Sequence, residues 1–267
     1  MAIDYEFISS AAVSSELRRM RSRRPLVQCI TNDVVQEITA NVLLAAGMSP
    51  AMVPAPEEAA EFARGAADAL LCNVGTPSEE NSRGMVLAAE SMNRAGKPWT
   101  LDPVGAGGTK WRDDLVSRLI DLHPTVIRGN GSEILACAGF EHSYKGVDSL
   151  DSSASALDAA KALAVRSRGV VCVSGEYDFT TDGKTVLATR GGSVMATLVV
   201  GTGCSLSALT AGFAAGAENV LVSTAACCQF VKFASEAAAR ASKGPGSFHD
   251  EYLDALYEIT PESLARS

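Results

Sequence analysis

Aromatic residues make up only 6% of this 267-residue sequence, and histidine occurs three times. The histidines stand apart, in "DLHPT", "FEHSY" and "SFHDE", with no zinc-ligand spacing to the cysteines and in contexts that do not suggest a catalytic base. Positive charge is also short. Lys and Arg total 23 against 31 Asp and Glu, a net charge of −8 that argues against nucleic acid or an anionic membrane as partner, although a local basic patch could still hold phosphate. No CxxC pair exists. The seven cysteines (29, 72, 137, 172, 204, 227 and 228) are odd in number and mostly lie inside apolar runs, the pattern of reduced core thiols in a cytoplasmic protein. The opening "MAIDYEFISS" lacks a basic stretch followed by an apolar one, so no secretory signal is expected.

Gly191 to Ala217 carries no charge, but six glycines, several Ser and Thr, and a turn at Gly201–Gly203 interrupt it, which argues against a membrane-spanning helix. Nucleotide fingerprints are missing too. The single "GKT" (183–185) has Asp178 where a phosphate loop needs its leading glycine. Leu206 occupies the third glycine of G-x-G-x-x-G.

What is present is alternation. Short apolar runs at 26–31, 51–54, 69–74, 98–102, 125–128 and 169–175 read as strands. Helical patterns separate them near 34–46, 57–65, 79–95, 111–121, 131–138 and 152–167. Strands apolar on both faces and spaced by helices predict an α/β fold, a mostly parallel sheet covered on both sides. "YDFTTDGKTVLATRGG" then predicts an antiparallel hairpin with a type I′ turn at Asp182-Gly183. Residues 204–242 are almost wholly helical in pattern, with Gly212 and Gly216 placed to let two helices approach. An amphipathic helix is expected near 248–257 and another within the first 25 residues. No composition shift marks a second or lid domain, so 1–267 reads as one domain.

Ligands of parallel α/β sheets sit beyond the carboxyl ends of the strands. Polar and glycine-rich residues collect there: Thr31-Asn32-Asp33, Met52, Asn73 to Thr76, "LDPVGAGG" (101–108), "IRGNGSE" (127–133) and Ser174-Gly175-Glu176. Turn chemistry and helix capping explain any one of them; their convergence on one rim points to a site. Asp102 ends a strand where a carboxylate can hold a hard cation, or cap the helix that begins near Thr109. Arg128 offers a planar donor fork for phosphate oxygens and Glu133 a carboxylate near a metal, unless the two pair with each other and Asn130 caps the helix.

In "GTGCSLS" the glycines at 201 and 203 allow close approach of a ligand to a helix start that favours an anion. Cys204 in its first turn has three readings: a nucleophile with its pKa lowered by the helix end, a packing residue, or a proton acceptor for a hydroxyl attacking a bound phosphate.

The blocks "TNDVVQEITANVLLAAGMSPAM" (31–52), "LDPVGAGGTKWR" (101–112), "IRGNGSEI" (127–134) and "GTGCSLSALTAGFAA" (201–215) together resemble the hydroxyethylthiazole kinase family of the ribokinase-like superfamily. The resemblance implies a ribokinase-like three-layer fold without a lid. It also implies ATP- and Mg²⁺-dependent phosphorylation of the primary hydroxyl of 4-methyl-5-(2-hydroxyethyl)thiazole in thiamin salvage. On that likeness Cys204 is the catalytic base, and Gly201, Thr202 and Gly203 form an anion hole. Asp102 and Glu133 serve magnesium, Arg128 and Ser174 contact the nucleotide, and Met52, Asn32 and Gly201 line the thiazole pocket. A homotrimer with active sites between subunits is implied as well. Met48, Gly131 and Ala106 replace residues more usual in the family and bear on pocket volume. The competing readings are another ribokinase-like kinase, for a hydroxymethylpyrimidine or a sugar, and a non-catalytic regulator.

Overall fold

The computed structural model describes residues 4–140 and 150–265. Its strands are β1 (Glu6–Phe7), β2 (Leu26–Ile30), β3 (Ser49–Met52), β4 (Ala69–Asn73), β5 (Trp99–Asp102), β6 (Val126–Asn130), β7 (Val170–Ser174), β8 (Asp178–Thr181) and β9 (Val186–Thr189). They form one sheet in the order β1-β9-β8-β7-β6-β5-β4-β2-β3. The run from β3 to β7 is parallel, whereas β8 pairs antiparallel with both β7 and β9.

Burial on both faces explains why these strands read as continuous apolar runs. In β4, Ala69 and Leu71 enter one core while Leu70 and Cys72 enter the other. The first core is closed by α1 (Ser10–Arg23), α2 (Gln36–Ala46), α8 (Thr202–Ala214), α9 (Val220–Ala241) and α10 (Pro245–Glu258). The second is closed by α3 (Pro56–Gly65), α4 (Glu79–Ala95), α5 (Lys110–Asp121), α6 (Gly131–Cys137) and α7 (Leu150–Ser167). The result is the expected three-layer α/β fold, with no lid among the described residues.

Local chemistry sets the helix ends. Ser78 caps α4, Thr109 caps α5 and Asn219 caps α9, each accepting a backbone N–H from the first turn. Thr109 thus does the capping for which Asp102 was a candidate. α2 and α4 end on Gly47 and Gly96 in the left-handed conformation.

Several expectations need correction. The hairpin forms, but its connection spans residues 182–185 and is not a type I′ turn, because only Gly183 has a positive φ (94°). Asp182 Oδ1 instead accepts the N–H groups of Lys184 (2.9 Å) and Thr185 (2.8 Å). The helical stretch from 204 breaks into α8 and α9. Gly212 does lie in α8, yet it brings the helix onto Met48 and Val27, while Gly216 lies past the helix with φ 64° beside Arg23. Met48 is accordingly a core side chain under α8. Three short elements were not anticipated: β1, a 3₁₀ turn at Val194–Leu198, and α11 (Pro261–Leu264). His142 lies outside the described residues.

Candidate active site

The helix start at "GTGC" lies over the carboxyl ends of the parallel strands. Gly201 is its N-cap, with φ 91° and ψ −7°. The first intrahelical bond runs from Ser205 N–H to Gly201 O (2.8 Å), so the amides of Thr202, Gly203 and Cys204 precede it and point out of the helix end. The Thr202 hydroxyl donates to Ala196 O (2.7 Å), tying this end to the 3₁₀ turn.

One side of the helix start faces a cavity of about 570 Å³, a size suited to a small-molecule ligand. Thr202 and Gly203 line it, together with Arg128, Ser174 and the Gly191–Thr197 segment. Arg128 Nε donates to Ser174 Oγ (2.8 Å) and Nη1 to Gly203 O (2.9 Å). These contacts join β6, β7 and α8, so the guanidinium does not pair with Glu133. Lys232, from α9, also lines the cavity. Its ammonium donates to the carbonyls of Gly175 (3.2 Å), Glu176 (3.1 Å) and Gly191 (3.3 Å), and lies 3.4 Å from Asp178 Oδ1. Lys232 and Asp178 were not foreseen as part of the site. In sequence Lys232 is one polar residue in an Ala-rich helix, and only the fold shows that it clamps two loops of the cavity rim.

On the other side Cys204 meets a buried polar chain. Asn32 Nδ2 donates to Cys204 Sγ (3.5 Å) and to Asn73 Oδ1 (2.9 Å), and Asn73 Nδ2 donates to Asp102 Oδ2 (2.7 Å). Four chain segments thereby converge. Cys204 is the one cysteine among the seven that is not buried. Its thiol pKa is nevertheless raised, against the expectation of lowering by the helix end. Burial is the largest cause and the Asp102 charge adds to it, while the Asn73 and Asn32 hydrogen bonds and Arg128 pull the other way.

Asp102 is 1% exposed, and burial pushes its carboxyl up to about 7. Arg128 opposes that rise and Glu133 adds to it. Glu133 completes a capping box with Asn130: its Oε2 accepts Asn130 N–H (2.9 Å), while Oε1 accepts Gly105 N–H (3.1 Å) across from the β5–α5 loop. Both the capping and the convergence expected of "RGNGSE" are therefore present. Met52 ends β3, in register with Cys29 of β2. No group of three or more His, Cys, Asp or Glu side chains that could hold a metal occurs among the described residues. The donor set still fits magnesium, which takes hard oxygen ligands and is usually held by one or two carboxylates plus substrate phosphates. A cation would also relieve the cost of ionising buried Asp102. Met48, Gly131 and Ala106 do not line the cavity.

A mostly parallel sheet with an antiparallel extension, helices on both faces and a helix start laid over its carboxyl rim make up a ribokinase-like fold. The fold alone is shared with a ribokinase-like superfamily protein of Enterococcus faecalis V583, at TM-score 0.68 and 11% identity over 98% of this chain and 99% of that one. Within that class the chain belongs to the hydroxyethylthiazole kinase family, whose sequence model matches residues 17–262. It is 52% identical to the hydroxyethylthiazole kinase of Klebsiella pneumoniae (strain 342), over 95% of this chain and 98% of that protein. The solved hydroxyethylthiazole kinase of Pyrococcus horikoshii OT3 superimposes with TM-score 0.85 at 38% identity, covering 96% of each chain. The chain is thus a kinase of a small molecule, and no helix among its described residues is long and apolar enough to cross a membrane.

Proposed function

We propose that this protein transfers the γ-phosphate of ATP to the primary hydroxyl of 4-methyl-5-(2-hydroxyethyl)thiazole, making the thiazole monophosphate for thiamin salvage in the cytoplasm. One observation carries the reading. The start of α8 separates a cavity lined by Arg128 and Ser174 from the Cys204–Asn32–Asn73–Asp102 chain, so a phosphoryl group at the helix end would lie between a nucleotide and an alcohol.

Arg128 and Ser174 bind the nucleotide. The amides of Thr202, Gly203 and Cys204 meet the negative charge of the migrating phosphoryl; removing one such preorganised donor in other enzymes costs about 2.7–4 kcal/mol of barrier. Asp102 and Glu133 would hold Mg²⁺, which, when bound, neutralises charge on the phosphate oxygens. Met52, Asn32 and Gly201 line the pocket of the thiazole. Cys204 takes the hydroxyl proton as its thiolate. Phosphoryl transfer is loose and largely dissociative, so the proton leaves late and positioning outweighs base strength. This reconciles a catalytic role with a raised thiol pKa.

A homotrimer with active sites between subunits agrees with the exposed apolar side chains Val34, Val194, Leu198 and Val200. Val34 adjoins the start of α2, which Gly201 touches through Val35 and Ile38, so these side chains flank the helix end.

The direct test incubates purified protein with ATP, Mg²⁺ and the thiazole alcohol, with a hydroxymethylpyrimidine as control, and detects ADP and the monophosphate. Product from the thiazole and not from the pyrimidine is expected. Preferential turnover of the pyrimidine, or none of either, refutes the assignment. Light scattering of the same sample reads the subunit number.

A further inference from the structure

The polar chain beneath Cys204 has a fixed direction. Backbone N–H groups can only donate, and two of them anchor the two amides in it. Val34 N–H donates to Asn32 Oδ1 (3.1 Å), and Gly75 N–H donates to Asn73 Oδ1 (3.0 Å). Each anchor orients its amide independently, so both NH₂ groups face away from their anchors. The Asn73 NH₂ then meets Asp102 Oδ2, an acceptor when ionised, at 2.7 Å. The Asn32 NH₂ spends one proton on Asn73 Oδ1 and aims the other at Cys204 Sγ. Flipping Asn73 would place NH₂ against NH₂ at Asn32, and oxygen against carboxylate at Asp102. Asn73 is 1% exposed, and the turn after it passes close against its partner: a Cβ on Gly75 would come 2.6 Å from Asn32 Nδ2.

We propose that Asn73 is a positioning residue, which locks the Asn32 amide so that Cys204 sulfur is held as a hydrogen-bond acceptor beside the substrate hydroxyl. A sulfur that receives a hydrogen bond is favoured as thiolate, and in the thiol form it keeps its S–H clear of the amide. Asn73 thereby acts on the reaction without touching substrate. The role rests on Cys204 as the group that takes the proton, but it is testable without turnover. The charged groups bearing on the thiol are Asp102, which disfavours the thiolate, and Arg128, which favours it.

The test is the rate of iodoacetamide alkylation at Cys204 as a function of pH, read by mass spectrometry of the peptide containing it; the other six cysteines are buried. In Asn73→Ala, and in the volume-matched Asn73→Leu should the alanine variant not fold, alkylation at pH 8 should slow about tenfold, because a hydrogen bond to a charged acceptor is lost. Asn32→Ala should slow it equally, and Asn32→Ala/Asn73→Ala no further. Loss of the Asn73 donor also makes Asp102 harder to ionise, which would speed alkylation, so slowing shows that hydrogen bonding to the sulfur decides. Because Asn73 also bears on the sulfur itself, the double variant is what separates the path through Asn32 from an independent contribution of Asn73. Wild-type rates in the Asn73 variants, or multiplicative slowing in the double variant, overturn the proposal. If Cys204→Ala keeps wild-type kcat, the proton-acceptor reading fails while the alkylation result still decides what Asn73 does to the sulfur.

Discussion

Gly201→Ala probes the helix start directly. Its φ of 91° lies where an L-residue is strained, at a cost of about 1–2 kcal/mol. An added Cβ would also come 2.4 Å from Ile38 Cγ2 and 3.2 Å from Val35 Cγ1. Both side chains are held in the core at the beginning of α2, where overpacking costs about 1–3 kcal/mol. The sum, about 2–5 kcal/mol, is a large share of the ~5–15 kcal/mol that stabilises a typical domain. Moving the start of α8 off α2 relieves it, and that displaces the amides of Thr202, Gly203 and Cys204. Urea unfolding and steady-state kinetics on the same variant separate the two responses. A rigid start gives a lowered midpoint with activity partly kept; a displaced one gives a smaller stability loss and a fall in kcat. A variant with both wild-type midpoint and wild-type kcat would refute the reasoning.

Two further predictions concern the carboxylates. Asp102 titrates near 7 in the fold and near 4 when exposed, so between those values the native state holds a proton that the unfolded chain has lost. Stability therefore falls as pH rises through that window, and the penalty is complete above pH 7. Asp102→Asn removes it: the metal-free variant should be more stable than wild type at pH 8, by up to about 4 kcal/mol, with the gap narrowing toward pH 5. Unfolding curves at the two pH values check this, and equal gaps at both would contradict the burial argument. Glu133→Gln leaves a single oxygen where two now accept Gly105 and Asn130 amides. It should cost about 1 kcal/mol of stability and raise the magnesium concentration for half-maximal rate; an unchanged magnesium titration would remove Glu133 from the metal site.

The central strands were legible because two-sided burial leaves an unbroken apolar run, and α4 was legible to its ends because Ser78 and Gly96 cap it. Asn130 was legible as the cap of α6, whereas the reach of Glu133 back to the Asn130 N–H, which completes a capping box, was not. β3 sits two residues earlier than its most apolar stretch suggests, at Ser49–Met52, because its register against β2 begins at Leu26. β1, two exposed residues long, carries no periodicity to read. The type I′ expectation failed because Asp182 uses its side chain to close the loop. The site was legible as a set of polar strand ends, but its wiring was not. Cys204, Asn32, Asn73 and Asp102 are linked across sequence separations of 172, 41 and 29 residues, which only the crossovers of a parallel sheet bring together. The rise in the thiol pKa was hidden for the same reason, since the burial and the Asp102 charge that cause it come from distant segments.

The claim on which the mechanism depends is that Cys204 stands beside the alcohol at the phosphoryl-binding helix end. The most direct measurement is the kcat of Cys204→Ala for the thiazole alcohol, paired with the Kd for ATP of the same variant. The expected result is a fall in kcat of about 10²-fold or more with Kd unchanged, since a positioned general base typically contributes ~10²–10⁴-fold. A variant that turns over the thiazole at the wild-type rate would contradict it.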